Sequence, residues 1–438
     1  MVTQTEKLNS LITDYFEKEQ KLGAQLPEWM KELRQQGLSR FNELGIPTIK
    51  NEEWKYTNLS SLAERKFYIP EPQPFKELGE LHEYLDPAEI NVVFVNGDFH
   101  PKLSNLTDLP KGVSIVNLTT ASAPGIQPFE THIREYQQKF SDPFAALNDA
   151  ITHGGVLVKI DEKTVLKRLI HIVHVTCVPK ENAILSPRTL IVLGKSAQAE
   201  VLETYMSCTP VGYFTNALTD IFLEENSVLR YTKAQNEGRQ AYHIGTTRIF
   251  QKRDSLSENF SMTTGGMLTR NNLMIILENS GANTFLNGLY AVQGEQHVDN
   301  HTCVDHQAPN ATSNQYYKGI LNGNSHAVFN GKIFVKRIAQ QTNSYQLNKN
   351  LLLGKGARVD TKPQLEIFAD DVKCTHGATI GQLNEDELFY LETRGIHREL
   401  AVRMLCRGFV DDILNRISNP SVVAKLNKML APSFETFK

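Results

Sequence analysis

The spacing of apolar positions changes twice along the chain. Leu8, Leu11, Ile12, Tyr15 and Phe16 fall at i, i+3, i+4, i+7 and i+8, one apolar stripe on a 3.6-residue period that predicts a helix. A second stripe, Trp29, Met30, Leu33, Leu38 and Phe41, runs to Gly45 and Pro47, residues that stop helices. The segment EEWKYTNL at 52–59 leads into proline-containing connections. Short β-type runs begin near Asn91, with Asn96-Gly97-Asp98 as a turn between apolar residues. A further helix is expected over 143–151.

From about 156 to 372 the helical period is almost absent, and short β-rich runs alternate with Asn, Gly, Ser and Asp. An apolar residue, a polar turn and a small residue recur at Leu193, Leu223, Phe250, Leu277, Leu321 and Leu353, separated by 30, 27, 27, 44 and 32 residues. The gap of 44 reads as two shorter turns. Such repetition suits a β-solenoid, in which each turn buries its inward residues against its neighbours. An antiparallel sandwich is the alternative, but more than 200 residues without a clear hairpin series favour the solenoid. Helical spacing returns at the end. Asn384 with Glu387 forms a capping signal, Arg394-Gly395 a stop, and Ala401, Met404, Leu405, Phe409, Ile413 and Ile417 a second stripe. The expected organisation is a helical and mixed region at 1–155, a parallel β-helix core at 156–380 and a helical domain at 381–438.

Composition narrows the class. Lys and Arg number 46 against 49 Asp and Glu, a net charge of −3 that argues against a nucleic-acid binder. Hydrophobic content of 40% supports a real core. The N-terminal MVTQTEKLNS lacks the apolar stretch of a signal peptide, and no apolar run approaches the ~20 residues of a membrane helix. Five cysteines, without a Cys-x-x-Cys pair, imply no disulfide framework and fit a reducing cytoplasm.

Candidate chemistry is sparse. Gly194-Lys195-Ser196 has Thr at position 189, where a phosphate-binding loop needs its first glycine, so no ATPase is expected. His297, Asp299, His301, Cys303 and Asp305 share one face of a regular strand, with His306 adjacent. His297, His301 and Cys303 are borderline metal ligands. A solvated outer face, with Val298 and Val304 turned inward, explains the same alternation. Cys374 and His376 are likewise two apart, too few for a complete site without ligands from elsewhere. As a nucleophile, Cys374 has Lys373 and His376 as basic neighbours. Cys177, Cys208 and Cys406 are scattered, Cys406 reading as helix packing, and His171 and His174 read as structural.

The segment PQLEIFADDVKCTHGATIGQLNEDELFYLETRGI at 363–396 resembles the C-terminal signature of the SufB/SufD family, on its SufD side. EEWKYTNL, NQYYKGIL and HAVFNGKI resemble the same family, in order along the chain. The resemblance implies a right-handed parallel β-helix between helical segments. It implies a non-enzymatic scaffold that joins a SufB-like paralogue and a SufC-like ATPase, with no stably bound cofactor but a transient iron–sulfur cluster shared with SufB. His376 matches the histidine of the interface where that cluster forms, and Cys374 the cysteine of the same motif. Leu388, Phe389, Tyr390, Arg394, Gly395 and Phe409 match the region that docks the ATPase. A SufB-type chain that itself accepts sulfur is the nearest alternative, and a β-helix carbohydrate-active enzyme, which needs carboxylates facing a cleft, the more distant one. Without partners, an exposed sheet edge makes a homodimer plausible.

Overall fold

A computed structural model describes residues 11–14, 23, 26–71, 83–121 and 141–437. Each turn of the chain lays one strand in each of two facing sheets. Sheet I runs from Asp98–Phe99 and Ile90–Val95 through Ile170–Thr176, Gln198–Ser207, Val228–Asn236, Leu256–Thr263, Asn283–Val292, Thr312–Leu321 and Thr342–Leu352 to Val372–Gly381. Sheet II runs from Val113–Asn117 and Val156–Ile160 through Arg188–Leu193, Tyr213–Leu223, Tyr242–Gln251, Leu268–Leu277, His297–His306 and His326–Val335 to Arg358–Ile367. Apart from the first pair of each sheet the ladders are parallel, giving a β-solenoid of about 8 turns with helices at both ends. The solenoid expected from the repeat is the observed fold. Its first sheet reaches back to Ile90, which stands beside Ile170.

The register explains the irregular repeat. Leu193, Leu223 and Leu277 end strands of sheet II, whereas Leu321 ends a strand of sheet I. Leu277 stands beside His306, one turn further on, and Leu321 closes the next half-turn. The 44-residue gap is therefore one and a half turns, not two short ones. Both corners use the same chemistry: Ser196, Asn226, Asp254 and Gly323 all adopt positive φ, which Asn, Asp and Gly tolerate best.

Inward positions alternate along each strand. Val298, Val304, Ile275, Leu277, Tyr317 and Phe329 belong to one buried core between the sheets. Helix α1 (Glu28–Leu44) packs on α2 (Pro143–Ile151), and Gly37 permits the contact, since a Cβ there would lie 2.6 Å from the Ala150 nitrogen. Asp142 caps α2 by accepting from the Phe144 and Ala145 amides. The stripe at 8–16 falls mostly outside the described residues; Leu11 and Ile12 are buried, with Ile12 bridged to Phe67.

At the other end, α3 (Glu385–Thr393), α4 (Arg398–Leu414) and α5 (Pro420–Thr436) lie on the outer face of sheet I. Asn384 caps α3 and Gly395 ends it at φ 82°, as the sequence signals predict. Helix α5 carries no such prediction. No helix among the described residues is long and apolar enough to cross a membrane.

One cysteine reading is corrected. Cys177 and Cys208 form a disulfide, with 5.2 Å between their Cα atoms. They follow the paired residues Thr176 and Ser207 on neighbouring strands, so their separation of 31 residues is one solenoid turn.

Candidate functional site: the open last turn

Both sheets stop at the same end. Arg358–Ile367 and Val372–Gly381 each pair on one side only, which leaves two rows of backbone hydrogen-bonding groups free at the edge. The inner face of this last turn is partly uncovered. Residues in register on parallel strands point to the same side, so column partners identify which side chains face the interior. Cys374 stands beside Ser344 and His376 beside Gln346; both partners are buried between the sheets. Cys374 and His376 therefore share the inner face, as their spacing predicts. His376 is exposed. Cys374 is half-buried against Ile333, Val335, Ala339 and Ala369, and burial pushes its thiol pKa up, with the Ser344 backbone opposing.

Two polar columns lead to these residues. One links His306 Nε2 to Ser313 Oγ at 3.0 Å and Ser313 to Ser344 Oγ at 2.7 Å, with Cys374 next in line. In the other, Gln315 Nε2 donates to Thr302 Oγ1, and Gln346 Nε2 donates to Gln315 Oε1 at 3.1 Å. Nothing near His376 in the sequence announces either glutamine, because Gln315, Gln346 and His376 are spaced by 31 and then 30 residues and meet only through the register.

The cluster at 297–306 has a different surrounding from the one its alternation suggested. Val298 and Val304 face inward, but the outer face is not solvated: Asp299 and Asp305 are 1% and 5% exposed. The EEWKYTNL segment lies across it. Thr57 Oγ1 hydrogen-bonds His297 Nε2 at 2.9 Å and donates to Asp299 Oδ2 at 2.5 Å. The Arg270 guanidinium pairs with Asp299 at 2.7 Å, donates to the Glu53 carbonyl and sits 3.7 Å over the Trp54 ring. His301 meets Asp299 at 3.0 Å and Glu53 at 3.3 Å. These bonds occupy His297 and His301. No group of three or more His, Cys, Asp or Glu that could hold a metal ion occurs among the described residues. Cys303 lines a cavity of about 260 Å³ beneath this strap, where burial and Asp305 push its thiol up to about 12.

Further back, the interior holds an acid–base cluster that hydrophobic patterning hides. Glu203 accepts from Thr189, Tyr205, Thr219 and Tyr231 and meets His174 at 2.9 Å. Burial opposes its charge, but His174, Tyr231 and Lys233 outweigh that and lower its pKa to about 2. Lys233 is drawn down to about 8 by burial, against the pull of Glu203 and Glu237.

On the C-terminal helices the sequence candidates separate. Phe389 and Tyr390 are exposed, and the Arg394 guanidinium lies 5.1 Å from the Tyr390 ring. Leu388 is only 1% exposed, within the packing of the helices on sheet I, and presents no surface. Gly395 forms the exposed turn after α3, and Phe409 is half-buried beneath the Lys318 ammonium.

A parallel two-sheet solenoid of this length, closed by helices and open at its last turn, is matched by two family profiles. The profile described as "SUF system FeS cluster assembly, SufBD core domain" covers residues 176–409, and that of the SufBD protein N-terminal region covers 5–172. The chain belongs to the SufBD family. It is 33% identical to an iron–sulfur cluster assembly SufBD family protein of Synechocystis over 91% of this chain and 90% of that one. Identity to the iron–sulfur cluster assembly protein SufD of Escherichia coli is 30% over 90% and 92%. SufB of Bacillus subtilis is 24% identical over 92% and 89%.

Proposed function

We propose that this SufBD family chain is a non-enzymatic, SufD-type scaffold subunit in iron–sulfur cluster assembly. Its open last turn meets a SufB-like paralogue, and a nascent cluster, the cargo of the complex, forms there with His376 as a ligand from this side and Cys374 adjacent. The observation that carries this reading is the placement of His376 and Cys374 on the inner face of the one turn that has no following turn. An imidazole and a thiol are suitable iron ligands, but two donors cannot close a site. A second chain laid against the same edge would supply the rest. The exposed Phe389 and Tyr390 with Arg394 have the composition of an interface core and would dock a SufC-like ATPase. The residues 189–196 lack the spacing of a phosphate-binding loop, which supports placing ATP hydrolysis in that partner. A cytoplasmic setting, and a homodimer across the open edge when partners are absent, belong to the same reading.

Co-expression with SufB-like and SufC-like partners from the same source tests it. One complex surviving gel filtration is expected; three separate peaks refute the assignment. His376→Ala should leave that complex intact while weakening cluster assembly. Full cluster transfer by this variant would remove His376 from the site.

A further inference from the structure

The orphaned amide oxygen of Gln346 lies at the end of a directional hydrogen-bonded column. Gln346 is fully buried, and its Nε2 donates backwards to Gln315 Oε1 at 3.1 Å. Gln315 in turn donates backwards to Thr302. Because the amide nitrogen is committed to the preceding turn, the oxygen is the half of the group left for the following one. Gln346 Oε1 is buried and has no hydrogen-bond partner. Leaving such an acceptor unpaired costs about 1–3 kcal/mol, so a donor at that point is strongly favoured. The residue that follows Gln346 in the column, on the same face and one strand spacing of ~4.8 Å away, is His376. Gly331 makes the arrangement possible: it stands across the interior, and any side chain there would collide with the Gln346 amide.

We infer that Gln346 is a positioning residue for His376: the two make no hydrogen bond in this structure, where the imidazole is exposed, and when the ring turns inward Oε1 accepts the N–H of one nitrogen, which keeps the other nitrogen unprotonated and turned towards the open end. Neutral imidazole carries one proton on two nitrogens, and only the bare nitrogen can bind a metal. An acceptor behind the ring selects which nitrogen is bare and fixes the ring plane, as partners behind ligating histidines do in metal sites. Gln346 touches neither cluster nor partner; it acts through His376. The inference deepens the proposed function and rests on it for its consequence in cluster assembly, though not for the tautomer.

The test uses the full chain with ¹⁵N-labelled histidine at about pH 8.5. Long-range ¹H–¹⁵N correlations report the tautomer, and loss of one signal set in His376→Gln assigns it. One dominant tautomer is expected in the wild type, both in Gln346→Leu, and one again in Gln346→Glu, which restores an acceptor. An unchanged tautomer in Gln346→Leu, or a mixture already in the wild type, overturns the inference. Cluster assembly by the co-purified complex should fall roughly 10–100-fold in Gln346→Leu and recover in Gln346→Glu. A tautomer change without any loss of assembly would leave Gln346 as the positioning residue and refute the ligand role of His376. Loss of assembly with the tautomer unchanged refutes the positioning role itself.

Discussion

Gly331 and Gln346 face each other across the solenoid interior, and the glycine's missing side chain is the space that the glutamine amide occupies. Three further inward glycines do the same for a large neighbour: Gly245 for Lys233, Gly288 for Tyr317 and Gly319 for Tyr290. Gly331→Ala should therefore overpack the interior and destabilise the chain by about 1–3 kcal/mol. Adding Gln346→Ala frees the same volume, so the double variant should lose less than the sum of the singles. Urea unfolding of the four proteins measures the coupling. Additive losses would show that the two positions do not share that space.

The Lys318 ammonium, 4% exposed on the outer face of sheet I, holds α4 in place. It donates to Asp412 Oδ2 at 2.6 Å and to the Phe409 carbonyl at 2.7 Å, and lies 4.1 Å over the Phe409 ring. Tyr316 donates to the same Asp412 oxygen at 2.8 Å. Charge-assisted hydrogen bonds of this kind contribute about 1.5–3 kcal/mol. Lys318→Met keeps the stem and removes the charge, and should speed amide exchange in α4 while leaving sheet II protection unchanged. Equal acceleration in both would show that Lys318 supports the whole fold rather than the helix.

Much of this architecture is legible in the sequence, for identifiable reasons. Turn residues with positive φ recur at the corners, so the repeat at Leu193, Leu223 and Leu277 reveals the solenoid. The helix boundaries at Gly45, Asn384 and Gly395 follow from capping chemistry that acts over a few residues. What escapes is contact between turns. Cys177 and Cys208 seem scattered until 31 residues is recognised as one turn. Asp299 seems solvated because nothing near it in sequence announces that Thr57 and Trp54 will cover it. Glu203 is hidden because all its partners but Tyr205 come from four other strands. Position 376 is readable from its motif, but Gln346 behind it is readable only from the register.

His306 gives the fold an acid-sensitive point. It is fully buried, bonds Ser313 Oγ at 3.0 Å, and burial draws its pKa from 6.5 to about 4. The unfolded chain therefore takes up the proton first as pH falls. The stabilisation is complete above about 6.5 and is lost progressively between there and about 4, by on the order of 3 kcal/mol. His306→Gln retains a partner for Ser313 without a titrating ring. Its unfolding free energy should fall less steeply over that window than the wild type's. Parallel curves would exclude His306 as the source of the slope.

The strap over sheet II depends on a charge that Arg270 alone neutralises at full strength. Asp299 is 1% exposed, and burial by itself would favour its neutral form. Arg270 overcomes that, with His301 and His297 assisting, and holds its pKa well below the carboxylate range. The same guanidinium seats Trp54 and the Glu53 carbonyl, so it joins the N-terminal segment to the solenoid. Removing one member of a buried pair leaves the other uncompensated, a cost of about 3–5 kcal/mol. Arg270→Met should incur it, shift the near-ultraviolet signal of Trp54 and expose the 52–59 segment to protease. Arg270→Met with Asp299→Leu removes both charges and should recover a substantial part of the stability, though not the Trp54 contact. Urea unfolding supplies the stabilities and limited proteolysis the state of the strap. If the double variant is as unstable as the sum of the singles, the pair is not the fastening, and Trp54 burial with the Thr57–His297 and Glu53–His301 contacts would have to hold the strap down.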